Sequence, residues 1–265
     1  MKYDLIVIGG GPAGYVGAIR AAQLGKKVAC VEMDRAGGTC LNWGCIPTKA
    51  LLKNAELYHT LAHRAEEFGL KISGLEFDWS KVIGRSRKVS DKLNKGIEGL
   101  FKKNKVDYLR GTAKIPAAGK VEVTDKDGKS ETHETKDILI ATGATSRDMP
   151  GLPFDGKTVI SSKEAMTLEK QPKSIVIIGA GAIGAEFAYF FNAYGTQVTL
   201  VEMAPNLLPV EDTEVSQALE KAFKKQGIRF LTNTKTTAAK TDGKKVSVTV
   251  EGEANETLEA EVCLV

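Results

Sequence analysis

No run of apolar residues in this 265-residue chain approaches the roughly 18 that a membrane-spanning helix requires. Nor is there an excess of one charge. Lys and Arg number 37 and Asp and Glu 33, a formal net charge of +4 spread along the whole length. That balance gives no field suited to nucleic acid or a membrane surface, and neither is expected as a partner. The start offers no small-residue cleavage site, because Met1-Lys2 leads straight into the strand-like Tyr3-Asp4-Leu5-Ile6-Val7-Ile8. A cytoplasmic location is the resulting expectation. Four cysteines, Cys30, Cys40, Cys45 and Cys263, are too few for a secreted disulfide scaffold. The three histidines, His59, His63 and His133, lack ligand spacing, so no metal site is expected.

What is present is ordinary soluble composition, 42% hydrophobic and 26% charged, over a length that suits two domains. An internal repeat organises it. Leu5–Glu32 aligns without a gap on Ile175–Glu202, placing Gly9, Gly11 and Gly14 on Gly179, Gly181 and Gly184. Gly25 falls on Gly195, Val31 on Val201 and Glu32 on Glu202. Each window reads as apolar strand, glycine turn, helix, glycine stop, apolar strand and acid, which is a βαβ unit. The first glycine permits a tight turn, the second lets a pyrophosphate approach the backbone, and the third brings helix and strand together. The helix then aims its N-terminal N–H groups at the phosphates. Glu32 and Glu202 end the second strands, where a carboxylate can accept hydrogen bonds from ribose hydroxyls. One such glycine pattern is weak; two, each with its strand, helix and acid, predict two dinucleotides.

Between the copies, helical patterning covers Pro47 to about Phe68 and Asp78 to about Lys103. Lys120–Thr135 alternates as strands do, with Asp127-Gly128 as the hairpin turn. Asp137-Ile138-Leu139-Ile140 is a further strand running into Ala141-Thr142-Gly143, and Pro150-Gly151-Leu152-Pro153 reads as a linker.

The most specific stretch is Gly37-Gly38-Thr39-Cys40-Leu41-Asn42-Trp43-Gly44-Cys45-Ile46-Pro47-Thr48-Lys49. Residues five apart in a regular helix have Cα atoms about 8.6 Å apart, whereas a disulfide tolerates at most about 7 Å. A turn or distorted helix through Asn42-Trp43-Gly44 is therefore needed to bring the sulfurs together. Pro47 suits the first position of the following helix, which leaves Cys45 at a helix N-terminus, a setting that favours thiolate. A redox-active pair is the favoured reading; a structural bridge and two buried thiols are the alternatives. Cys30 and Cys263, inside apolar runs, read as structural.

These two glycine units, the cysteine segment and the Ala141-Thr142-Gly143 turn resemble the pyridine nucleotide–disulfide oxidoreductase family over essentially the whole chain. The resemblance implies an α/β fold of two Rossmann-like dinucleotide-binding domains. An FAD-binding domain with the redox-active disulfide would occupy 1–148, and an NAD-binding domain, incomplete at its C-terminus, 149–265. Within the family, Leu41–Leu52 looks most like the members that oxidise dihydrolipoamide with NAD⁺; glutathione reductases carry a Val-Pro-Lys-Lys type ending there. Glu202 argues the same way, since a carboxylate repels the 2′-phosphate of NADP.

By the same resemblance, Cys45 is the sulfur beside the flavin and Cys40 the outer sulfur that exchanges with dihydrolipoamide. Lys49 matches a lysine near the flavin N5, and Glu186 matches its ion-pair partner. Thr39, Ala113, Thr142, Gly143 and Ala144 match flavin-contacting positions. The implied partners are the lipoyl group of a 2-oxo acid dehydrogenase complex or of the glycine cleavage system, and a second copy in a homodimer. Members of the family also use a histidine–glutamate pair from a C-terminal interface domain, for which this chain offers no candidate. Cys263-Leu264-Val265 resembles Ile138-Leu139-Ile140, so the expectation is a chain that stops within its NAD domain. A sibling such as mercuric reductase, and a non-catalytic nucleotide-binding fragment, are the competing readings.

Overall fold

A computed structural model of the protein describes residues 2–149 and 151–265, so Met1 and the first residue of the expected linker, Pro150, lie outside the described residues. The chain forms two compact units, Met1–Pro47 with Arg87–Thr145, and Thr48–Ser86 with Ser146–Val265. This differs from a single division near residue 148. Leu51, Ala55, Trp79 and Ile83 bury their side chains in the same core as Phe187, Phe190, Phe191 and Leu200. The large aromatic helix face at 187–194 provides the apolar area that this segment covers.

The elements up to the end of the first unit are β1 (Lys2–Ile8), α1 (Pro12–Gln23), β2 (Val28–Glu32), α2 (Gly38–Trp43), α3 (Cys45–His63) and α4 (Trp79–Lys103). β3 (Asp107–Arg110), β4 (Thr112–Ala117), β5 (Lys120–Thr124) and β6 (Ser130–Ile140) follow. Helices α3 and α4 contribute residues to both units. The first unit holds a six-stranded sheet in the order β3-β2-β1-β6-β5-β4. Its β3-β2-β1-β6 half is parallel and its β5-β4 edge antiparallel. The expected hairpin strand and the expected apolar strand prove to be one strand, β6. Its start pairs antiparallel with β5 and its end parallel with β1, from Lys2 opposite Glu134 to Ile8 opposite Ile140. One face of this sheet packs Val7, Cys30, Ala18, Leu41 and Phe101; the other packs Tyr3, Ile6, Val31 and Val121.

In the second unit β7 (Val159–Ile160), α5 (Ser162–Ala165), β8 (Ser174–Ile178), α6 (Ala182–Ala193) and β9 (Gln197–Val201) come first. α7 (Thr213–Lys225), β10 (Arg229–Leu231), β11 (Thr234–Thr241), β12 (Val246–Gly252), β13 (Glu256–Ala260) and β14 (Val262–Leu264) follow. A five-stranded parallel sheet runs β10-β9-β8-β14-β7, and β11-β12-β13 form an antiparallel meander. Trp79, Phe190 and Phe191 pack ring to ring at 5.1–6.1 Å between centroids, and the Trp79 indole N–H donates to the Leu168 carbonyl at 2.8 Å. Each such buried aromatic contributes on the order of 1.5–3 kcal/mol. No described helix is long and apolar enough to cross a membrane.

The two repeats superpose in register. Leu5 lies opposite Val28 as Ile175 lies opposite Val198. Cys263 and Leu264 lie opposite Val176 and Ile177, just as Ile138 and Leu139 lie opposite Ile6 and Val7.

Candidate functional site

The first glycine turn is built by close approach. A Cβ on Gly9, whose φ is +105°, would fall 2.2 Å from the Ala141 carbonyl oxygen, and one on Gly14 would fall 1.7 Å from the Gly9 oxygen. The Ala141 N–H donates to the Ile8 carbonyl at 2.8 Å, which brings the ends of β1 and β6 together beside the turn. In the second turn a Cβ on Gly184 would meet the Gly179 oxygen at 1.9 Å. The middle glycines differ from these, as their task requires. Nothing lies within 4 Å of a Cβ on Gly181, and only the Gly38 Cα, at 3.7 Å, near one on Gly11. Both are helix N-caps with nearly equal backbones, φ −72° and ψ −175° at Gly11, φ −66° and ψ −178° at Gly181. Neither supplies a side-chain cap, so the first N–H groups of α1 and α6 remain for an anion.

Glu32 and Glu202 do more than end their strands. One Glu32 carboxylate oxygen accepts from the Gly10 N–H at 2.7 Å and the other from the Asp34 N–H at 2.8 Å. Glu202 accepts from Ala180 N–H at 2.7 Å and Ala204 N–H at 2.8 Å. Each carboxylate thus brackets the glycine turn to the strand end. An ionised carboxylate offers about four acceptor sites, so two remain for hydroxyl donors. A pyrophosphate-bridged ribose fits both places. The second residue past each acid, Asp34 and Ala204, was not singled out in the sequence, because its part is played by a backbone N–H.

The cysteine segment is docked on the first turn. The Gly37 N–H donates to the Gly10 carbonyl at 2.8 Å, and a Cβ on Gly38, at φ +57°, would lie 2.5 Å from the Gly11 Cα. Helix α2 starts there and carries Thr39 and Cys40. Gly44, at φ −149° and ψ −119°, then breaks the helix, and Cys45 opens α3. The interruption predicted between the cysteines is therefore present. Pro47 is the third residue of α3 rather than its first; the first four N–H groups of a helix lack intrahelical partners, so a proline there forfeits no bond. Cys45 is an exposed free thiol and Cys40 is half-buried.

Between them, Asn42 is buried and its amide donates to the Ala36 and Gly38 carbonyls at 3.1 and 3.0 Å. The Trp43 indole N–H donates to Asp34 at 2.7 Å, and the Arg87 guanidinium lies 5.2 Å over its ring while donating to the Asn42 carbonyl. These anchors hold the break, and residue types alone did not reveal them.

Thr142, Gly143 and Ala144 follow β6 as exposed backbone, with Gly143 at φ +72°. Ala113 lies in β4, packed against the core cluster that contains Tyr3, Ile6, Val31 and Val121. In the second unit Lys49, on α3, pairs with Glu186, on α6. Burial pushes the thiols of Cys30 and Cys263 up to about 12; for Cys30 the Glu32 charge adds to it. Both therefore remain protonated thiols at neutral pH. Among the described residues, no group of three or more His, Cys, Asp or Glu is placed to hold a metal ion.

The family described as pyridine nucleotide-disulphide oxidoreductase matches residues 3–265. A dihydrolipoyl dehydrogenase of Zymomonas mobilis is 46% identical over 250 residues, covering 94% of this chain and 53% of that protein. The dihydrolipoyl dehydrogenase of Chlorobaculum parvum is 45% identical over 266 residues, covering 100% of this chain and 56% of its own length. Among solved structures, LpdA of Mycobacterium tuberculosis superposes with a TM-score of 0.89 at 27% identity, over 98% of this chain and 57% of that one. The chain spans about half the length of the relatives it matches.

Proposed function

Because the chain belongs to the pyridine nucleotide-disulphide oxidoreductase family, whose cofactors are FAD and NAD, we propose that it is the nucleotide-binding and dithiol-bearing part of an enzyme that oxidises dihydrolipoyl groups with NAD⁺. In this reading the unit built on Gly9, Gly11, Gly14 and Glu32 takes FAD, and that built on Gly179, Gly181, Gly184 and Glu202 takes NAD. The lipoyl group comes from a 2-oxo acid dehydrogenase complex or the glycine cleavage system.

One dihydrolipoyl thiolate attacks the Cys40 sulfur of a Cys40–Cys45 disulfide, and Cys45 leaves as thiolate. The second lipoyl sulfur displaces Cys40, so the lipoyl ring closes as the protein pair becomes a dithiol. Two electrons and two protons have then moved to the protein. A bound flavin supplies the route by which that electron pair passes on to NAD⁺. Lys49 stands one helical turn after Cys45 on α3, and Glu186 holds its ammonium. By the family resemblance this lysine would lie near the flavin N5, where a cation would favour negative charge on the reduced cofactor.

The observation that carries this reading is the docking of Gly37 and Gly38 on Gly10 and Gly11, which seats the cysteine helix against the first glycine turn. The test is anaerobic titration of the purified, FAD-loaded chain with dihydrolipoamide. The expected result is bleaching of the flavin absorbance, colour returning with NAD⁺, and no bleaching in Cys45→Ser. Equal bleaching in that variant, or none in the flavin-loaded parent, overturns the proposal.

A further inference from the structure

Helices α3, α6 and α7 all end at one place. Their last residues, His63, Ala193 and Lys225, line a single open groove of about 930 Å³, and every residue lining it belongs to the second unit. A helix C-terminus carries roughly half a negative charge, on carbonyls that lack intrahelical partners. Three such ends bordering one space favour a cation there. Gln226, the C-cap of α7, lines the same groove, and among the described residues its buried side-chain oxygen accepts no hydrogen bond. Such an acceptor is satisfied by a positive or proton-donating guest.

The groove also holds a pair of imidazoles. His59 and His63 are four residues apart on α3, about one turn, so both fall on the same face. Their ring centroids are 4.7 Å apart. Two imidazoles sharing one ion through bonds of about 2.1 Å have centroids roughly 4.5–5.2 Å apart, for ligand angles from octahedral to tetrahedral. The rings already have that separation. Two histidines one turn apart are also how a helix presents nitrogen ligands to zinc. An interval of four carries a ligand pattern only once the segment is helical, so this pair departs from the expectation of no metal site. Arg64 is engaged by Glu67 at 2.6 Å, and Lys225 is the remaining lysine or arginine of the lining.

We infer that His59 and His63 chelate a divalent transition-metal ion where these helix ends meet. Among the described residues no further histidine, cysteine, aspartate or glutamate is placed to join them, so water fills the remaining positions and the ion is exchangeable. Imidazole ligands select nickel, copper and zinc over magnesium and calcium. The site uses neither glycine turn and neither Cys40 nor Cys45, so it stands apart from the proposed function.

The experiment titrates the untagged chain, alkylated at its accessible cysteines to remove competing thiolates, with Ni²⁺, Zn²⁺ and Mg²⁺ by calorimetry. His59→Gln, His63→Gln and Lys225→Ala are titrated alongside. The parent is expected to bind Ni²⁺ and Zn²⁺ but not Mg²⁺, and its melting temperature to rise with Ni²⁺ concentration. Each glutamine variant is expected to lose at least about tenfold in Ni²⁺ affinity, the loss that even an outer-shell change causes. Lys225→Ala is expected to bind Ni²⁺ about twofold more tightly, since one repelling charge is gone. Melting temperatures without metal show that the variants fold; His63 is exposed, so its variant carries the test should His59→Gln not fold. A parent that binds no Ni²⁺, a His63→Gln variant that binds as the parent does, or an affinity unchanged in Lys225→Ala overturns the site and leaves the functional proposal standing.

Discussion

Gly38 lies against Gly11 so closely that a Cβ on Gly38 would come within 2.5 Å of the Gly11 Cα. The contact links the cysteine helix to the glycine turn, and it fixes the first expectation. Gly38→Ala would meet both this backbone and a φ of +57°. Left-handed backbone costs a non-glycine residue about 1–2 kcal/mol, and the overlap adds to that. A melting temperature lowered by several degrees, together with weaker flavin binding under the proposed reading, is the expected outcome; thermal unfolding and flavin fluorescence read it. Unchanged flavin affinity would mean that α2 is not positioned by the turn.

Glu32→Gln and Glu202→Gln probe the brackets. Either glutamine keeps the length but presents an NH₂ to one of two backbone N–H donors, so one donor loses its acceptor. The expected cost is about 1–2 kcal/mol each, and under the proposed reading the ribose contacts are lost as well. Denaturant melts of the ligand-free chain measure the first part alone. If neither variant is destabilised without ligand, the bracket does not organise the turn.

Lys49→Ala separates function from stability. An exposed ion pair of this kind contributes about 0–1 kcal/mol, so melting is expected to stay nearly unchanged. Under the proposed reading the flavin becomes harder to reduce, which a dye-coupled redox titration detects. Glu186→Gln removes the negative charge that offsets Lys49 and is expected to shift the potential in the opposite sense.

The buried thiols set an alkaline limit. Cys30 and Cys263 have folded values raised from 9.0 to about 12. Between these values the unfolded chain releases a proton that the folded chain keeps, so stability is full below about pH 9 and declines toward pH 12. Tyr108 and Tyr194, also pushed up to about 12 by burial, act in the same direction above pH 10. Cys30→Ala is expected to flatten the decline in melting temperature over this range. At neutral pH a thiol reagent should modify Cys45 promptly, and Cys30 and Cys263 only on unfolding; rapid modification of all four cysteines would contradict their burial.

Much of this was legible in the sequence, and the reason is local. The glycine turns, the two acids and the helix break at Gly44 are set by residues within a turn or two of one another, where backbone sterics leave few options. Hence the repeat carries over to the register of β14, whose Cys263 sits where Ile138 sits in the first copy. The non-local part was not legible. That β6 is one strand with two kinds of partner depends on pairing with β1, far back in the chain. That Thr48–Ser86 packs on the aromatic face of α6 depends on Trp79 meeting Phe190 and Phe191. The meander strand β11, Thr-Lys-Thr-Thr-Ala-Ala-Lys-Thr, has almost no apolar signal of its own and takes its place from β12. The Asn42 and Trp43 anchors depend on Ala36, Asp34 and Arg87 coming together in space.

Gly9 takes its final surroundings from Ala141, delivered only when the end of β6 reaches β1. A span of more than a hundred residues must close before that turn has its neighbour, and long-range parallel pairing of this kind is slow. Helices α1 and α4, built from short-range bonds, can form well ahead of it. Under the proposed reading, the capacity to capture flavin is then among the last properties the first unit acquires on refolding, so the appearance of bound flavin would serve as a clock for completion of that sheet.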